Sequence, residues 1–157
     1  MTARAIQITR HDRDQLMRLI AETRSRTDLA EWDGRLVQSL ERKLLEAQVV
    51  SWDQVSARVS TMNSLLAIEE ADTRRRTIVK LVFPESANLE NGRVSILTDL
   101  GIALLGAEVG DVVLTHEPEG SLRFRLVALL YQPEGSLRRN RFIHSEGNGL
   151  CTSGELI

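Results

Sequence analysis

The sequence predicts an α+β protein: a short N-terminal antiparallel helical hairpin followed by a mostly antiparallel sheet with one packed helix. Three observations predict it. Apolar residues recur at spacings of 3 and 4 through two stretches before residue 50. The period changes to strand-like alternation after Ser56. A single compact helical stretch, "TDLGIALLG", then interrupts the strands. A chain of 157 residues suits one mid-sized domain or two small ones. The expected division is a helical hairpin (a short coiled coil) over 1–54, a sheet domain over 55–133 and a flexible tail over 134–157.

Thr9 followed by Asp12 fits a capping box with Asp in the usual place of Glu. It predicts a helix from about Arg10 to Arg24 with Leu16, Leu19 and Ile20 on its apolar face, extended by Thr23. Asp14 and Arg18 stand i,i+4 with the acid first, the favourable order. "RSRTDLAEW" breaks the apolar pattern. A second helix is predicted from Trp32 to Val50, where Val37, Leu40, Leu44 and Ala47 repeat and Leu36 widens the stripe. Two such helices on a short link form a hairpin. At about 1.5 Å per residue each arm spans roughly 22–28 Å.

"SWDQVS" (51–56) reads as a junction. "RVSTMNSLLAIEE" and "RRRTIVKLVFP" read as strands around the polar turn "EEADTR", and "RVSIL" as a short strand after "LENG". In "TDLGIALLG", Thr98 is the N-cap and Gly106 the C′ glycine. "AEVGDVVLTHE" gives a turn and a strand, and "SLRFRLVALLYQP" a last strand ended by Pro133. Residues 134–157 are rich in Gly, Ser, Asn and charge, the composition of a mobile tail.

The bulk composition excludes several functions. It is 42% hydrophobic and 27% charged, as in a soluble globular protein. Aromatics make up only 4%, too few for an extended base-stacking surface. The formal net charge of −2 supplies no basic field toward DNA, so direct sequence-specific DNA binding is not expected. Cys151 is the sole cysteine, so no disulfide can form within the chain, which fits a reducing cytoplasm. "MTARAIQITRHDRD" has no apolar core of signal-peptide length, and no apolar run approaches the roughly 20 residues that span a bilayer. The expectation is a soluble, cytoplasmic, monomeric protein. His11, His116 and His144 lie far apart without metal-ligand spacing. "GAEVGD" lacks a P-loop ending, and no Gly-x-Ser-x-Gly elbow occurs. No catalytic residue, metal or cofactor is expected.

Two charged stretches are candidates for function. "TDLAEWDG" (27–34) places Asp28, Glu31 and Asp33 at the hairpin tip. Either these acids act there, or they sit near the start of the second helix, where the dipole favours them. "TRRRT" (73–77) clusters Arg74, Arg75 and Arg76. It is either a contact for phosphate or an acidic partner, or a solvated turn balanced by Glu69, Glu70 and Asp72.

The stretch "VSILTDLGIALLGAEVGDVV" (94–113) resembles the signature of the C-terminal domain of the GreA/GreB transcript cleavage factors. "VSTMNSLLAI" (59–68), "TIVKLVFPESAN" (77–88) and "LVALLYQPEG" (126–135) follow in the same layout. The "TMNS" element and the short hairpin are most similar to the Rnk-like (regulator of nucleoside diphosphate kinase) members of that family. The resemblance implies an FKBP-like C-terminal domain that docks on RNA polymerase at the rim of the secondary channel, with the hairpin pointing inward. The docking loop would be Leu97, Thr98, Asp99 and Leu100; the family's usual Ser-Pro pair is Thr-Asp here. Asp28-Leu29-Ala30-Glu31 matches the Asp-Leu-x-Glu element with which cleavage factors hold a second magnesium ion and position a water. The arm is short for that reach. The resemblance therefore implies a non-enzymatic regulator that occupies the channel entrance and competes with cleavage and elongation factors. The alternatives are a cleavage factor using Asp28 and Glu31, and an interaction module acting on nucleoside diphosphate kinase. A prolyl isomerase is disfavoured by the scarcity of aromatic residues.

Overall fold

The computed structural model describes residues 5–26, 31–117 and 120–136, with only the backbone of residues 31–33 and 117. Strand β1 (Gln7–Thr9) runs directly into helix α1 (Arg10–Ser25). Thr9 is extended, and its hydroxyl accepts the Asp12 N–H at 3.1 Å, which ends the strand and caps the helix. Leu16 and Ile20 are buried and Leu19 partly so, the face the spacing predicts. Asp14 pairs with Arg13 rather than extending to Arg18. Helix α2 (Glu31–Glu46) buries Leu36, Val37, Leu40 and Leu44 against α1, and Arg24 and Glu41 form an ion pair between the two helices.

The predicted extension of this helix to Val50 is wrong. Helix α2 stops at Glu46, and Gln48–Val50 form strand β2, paired parallel with β1 in the register Gln7–Gln48, Ile8–Val49 and Thr9–Val50. The β-branched pair Val49-Val50 is stiff in a helix and suits a strand, and the neighbouring strand supplies the partners. At 16 residues each, the helices are about 24 Å long.

The second half forms a five-stranded sheet from β3 (Leu65–Glu70), β4 (Arg76–Val82), β5 (Arg93–Ser95), β6 (Val112–Glu117) and β7 (Gly120–Tyr131). Its order is β5-β4-β3-β7-β6, with only β4–β5 parallel. Helix α3 (Asp99–Leu104) packs on one face, capped by Thr98 and followed by Gly106 at φ +77°, as predicted.

The predicted strand over "RVSTMNSLLAIEE" begins only at Leu65. Residues 61–64 turn instead. The Thr61 N–H donates to Ser64 Oγ at 3.0 Å, the Ser64 N–H returns to the Thr61 carbonyl at 3.1 Å, and Asn63 takes φ +65°. Short hydroxyl side chains thus satisfy backbone groups that a strand would pair with a neighbour.

Two apolar clusters form the core. One lies between the sheet and α3, around Leu66, Ile68, Val79, Val94, Leu104 and Leu126. The other joins Leu16, Ile20, Leu40 and Leu44 of the helix pair to Met62, Leu81, Ile96, Ile102 and Leu105 of the sheet half. Packing is therefore continuous across residues 51–56.

The expected tail does not begin at residue 134. Residues 133–136 form a helical turn, and Glu134 is buried, accepting from Thr61 Oγ1 at 2.7 Å. A polar residue enters the interior because a buried hydroxyl there needs a partner. Residues 137–157 lie outside the described residues.

Candidate functional site

Residues 95–101 run from the end of β5 through a short connection, 96–98, into the first turn of α3. Ser95 Oγ accepts the Leu97 N–H at 3.0 Å. Thr98 Oγ1 accepts the Gly101 N–H at 3.0 Å and donates to the Ser95 carbonyl at 2.7 Å. One hydroxyl thereby caps the helix and ties it to the strand. Gly101 allows the approach: a Cβ there would lie 2.1 Å from the Ser95 carbonyl oxygen and 2.9 Å from Ile96 Cα.

The structure places Leu97 and Thr98 in this connection and Asp99 and Leu100 in the first turn of α3. Leu97 packs against the cluster shared with the helix pair, and Leu100 against the cluster under the sheet. Asp99 is the exposed member. Leu97 also borders a cleft of about 400 Å³, lined too by Leu19 and Thr23 of α1, by Arg26 just after it, and by Pro84 and Glu85. The loop therefore sits where the helix pair meets the sheet.

The far end of α3 is held by a residue that the spacing does not single out. Lys43 Nζ on α2 donates to the carbonyls of Ile102 and, at 3.2 Å, Ala103. A cation on these free carbonyls suits a helix C-terminus. Burial pushes the ammonium down to about 8. The available signal was position: Lys43 lies between Leu40 and Leu44 on the buried side of the helix.

A second unanticipated group joins the two halves. Asp12 is buried, and its carboxylate accepts the Met62 N–H at 3.1 Å. Burial raises its pKa to about 6; the Met62 bond opposes this and the nearby Glu134 charge adds to it. Gln132 Nε2 donates to the carbonyls of Ser56 at 2.8 Å and Val59 at 2.9 Å.

The other candidates divide. Asp28 lies outside the described residues; Glu31 opens α2 and Asp33 lies in its first turn. Arg74 and Arg76 both pair with Glu69, at 3.8 and 2.8 Å, and the Arg76 hydrogen bond holds the Glu69 carboxyl below its ordinary value. Arg75 is exposed. Among the described residues, no group of three or more His, Cys, Asp or Glu side chains could hold a metal ion. No helix among them is long and apolar enough to cross a membrane.

The family model "Transcription elongation factor, GreA/GreB, C-term" matches residues 55–131, which span the loop, α3 and the whole five-stranded sheet. A solved prokaryotic transcription elongation factor GreA/GreB from Nitrosomonas europaea is 31% identical. It matches 80% of this chain and 99% of its own, with a TM-score of 0.64. The chain belongs to the GreA/GreB family of transcription elongation factors. Transcription elongation factor GreA of Thermodesulfovibrio yellowstonii is 27% identical over 131 residues, covering 75% of this chain and 82% of that protein. GreA of Caulobacter vibrioides is 26% identical over 128 residues, covering 74% and 82%. The GreA/GreB match thus takes in both the candidate loop and the helix it opens.

Proposed function

We propose that this GreA/GreB-family protein is a Rnk-like regulator that binds RNA polymerase at the rim of the secondary channel. It acts in the cytoplasm as a monomer, competes there with cleavage and elongation factors, and cleaves no transcript itself. The observation that carries the reading is a family-type segment, Leu97–Leu100, set against a helix pair only about 24 Å long, beside the last turn of α1 and the early part of α2. Asp99 offers an exposed carboxylate two residues after Leu97, which lines the cleft. The short arm supports occupancy without catalysis. Metal-assisted hydrolysis tolerates little misplacement, since 1 Å costs about a hundredfold.

The test is retention of the full chain on immobilised RNA polymerase core enzyme, with and without a cleavage factor. Retention that the cleavage factor displaces is expected. Asp99→Lys should weaken it, and this exposed position is a cleaner probe than the half-buried Leu100. In a backtracked polymerase complex with Mg²⁺, no stimulated release of the RNA 3′ fragment is expected. Release by the wild type that disappears in Asp28→Ala with Glu31→Ala would instead make the protein a short-armed cleavage factor.

A further inference from the structure

Helix α3 and the second apolar cluster cover one face of the five-stranded sheet, while alternation along each strand sends the remaining side chains to the other. The register aligns that open face in rows. Arg93, Lys80, Leu65 and Tyr131 cross it at one end. Ile78, Ala67 and Ala128 form the next row. Arg76, Glu69, Arg125 and Val112 form a third, and Leu114 lies beyond, opposite Arg123.

Two features of these rows stand out chemically. Large apolar groups are left in water: Ile78 is 57% exposed, Val112 49% and Leu114 52%. The neighbouring Ala67 and Ala128 are small, so the middle of the face is shallow beside Ile78. The charge on the face is also unbalanced. Arg76 and Arg123 are engaged with Glu69 and Asp72. Lys80 and Arg93 have no ion pair among the described residues and stand together at one end of the face, while Arg125 stands beside Val112, where its charge also acts on Glu69.

We propose that this open sheet face docks an acidic amphipathic helix of a protein partner. Its apolar side would cover Ile78, Val112 and Leu114, and its carboxylates would meet Lys80, Arg93 and Arg125. An exposed apolar band rimmed by cations is the usual composition of a protein-docking patch, and the rim selects the sign of the partner. A nucleic acid fits less well. Among the described residues Tyr131 is the one aromatic on this face, since Phe124 packs inward, and phosphates gain nothing from three aliphatic groups. The face lies on the opposite side of the sheet from α3, so the inference stands independently of the polymerase reading.

The experiment uses the full chain and a fluorescein-labelled leucine–glutamate peptide of about 18 residues with helical periodicity, read by anisotropy. Saturable binding is expected. Ile78→Ser should weaken it about tenfold. The combined Lys80→Glu, Arg93→Glu and Arg125→Glu variant should lose the peptide and gain binding to a leucine–lysine counterpart. Ile78, Arg93, Leu114 and Arg125 are exposed and Lys80 is half-buried, and thermal melts would verify folding; Leu114→Ser replaces any variant that fails to fold. Three results would overturn the proposal: no saturable binding by the folded wild type, binding unchanged by the substitutions, or preference for heparin or anionic vesicles over the acidic peptide.

Discussion

Asp12 is 5% exposed, yet it carries a carboxylate whose pKa stands near 6 rather than 3.8. Between those values the native state holds a proton that the unfolded chain has released. The stabilisation linked to this proton is complete below about 3.8 and is lost as pH rises through about 6. Asp12→Asn retains an acceptor for the Met62 N–H and removes the buried charge. The variant is expected to be more stable than the wild type by about 1–3 kcal/mol at pH 7.5, with the difference vanishing near pH 4. Urea unfolding at both pH values checks this; a less stable variant at pH 7.5 would show that the ionised form is the favoured one. Gly101 makes a steric counterpart. Gly101→Ala sets a methyl group against the Ser95 carbonyl and should cost about 2–4 kcal/mol, read as a lowered melting midpoint.

At the scale of the element, α3 is only six residues long and would not persist alone. The Thr98 hydroxyl satisfies its N-terminus, Lys43 caps its last carbonyls, and Gly101 lets it lie on the end of β5. Thr98→Ala should destabilise the protein by about 1 kcal/mol, whereas Thr98→Ser, which keeps the oxygen, should cost much less. Chemical denaturation of the pair separates loss of the cap from loss of the methyl group; equal losses would mean that the hydroxyl contributes little. The β1–β2 ribbon shows the same dependence on neighbours. Three residues per strand form a stable ladder because Ile8 is buried in the shared core, and the Gln48 N–H continues the pairing to the Ile6 carbonyl at 2.8 Å.

For the whole molecule, continuity of the core is the governing fact. A fragment of residues 56–157 would expose the sides of Met62, Leu81, Ile96, Ile102 and Leu105 that face the helix pair. It is expected to bind a hydrophobic dye and to melt with low cooperativity, although residues 55–131 match a family model of their own. A cooperative, dye-negative fragment would show that the sheet half repacks independently. At the other end, truncation after Tyr131 would remove Gln132 and Glu134. The carbonyls of Ser56 and Val59 and the hydroxyl of Thr61 would lose those partners. The expected cost is about 1–3 kcal/mol, measurable by urea titration.

Local chemistry alone determined the helix pair, its apolar faces, both ends of α3 and the mixed α+β class. Each is written in residues within one or two turns of one another: Thr9 with Asp12, Leu16 with Ile20, Thr98 with Gly101, Gly106 after Leu105. The family-like loop at 97–100 was equally legible, because its pattern is contiguous. What local chemistry misassigned depends on partners distant in the chain. Val49 and Val50 continue a helical stripe on paper and become a strand because β1 stands beside them. Thr61 and Ser64 alternate like strand residues and instead form a turn. Asp12 resembles half of a capping box, and its carboxylate meets Met62, 50 residues away. Glu134 belongs to a polar C-terminal stretch by composition, and Thr61, 73 residues away, draws it inside. Buried polar groups must find partners, and only the folded chain decides which distant groups are within reach.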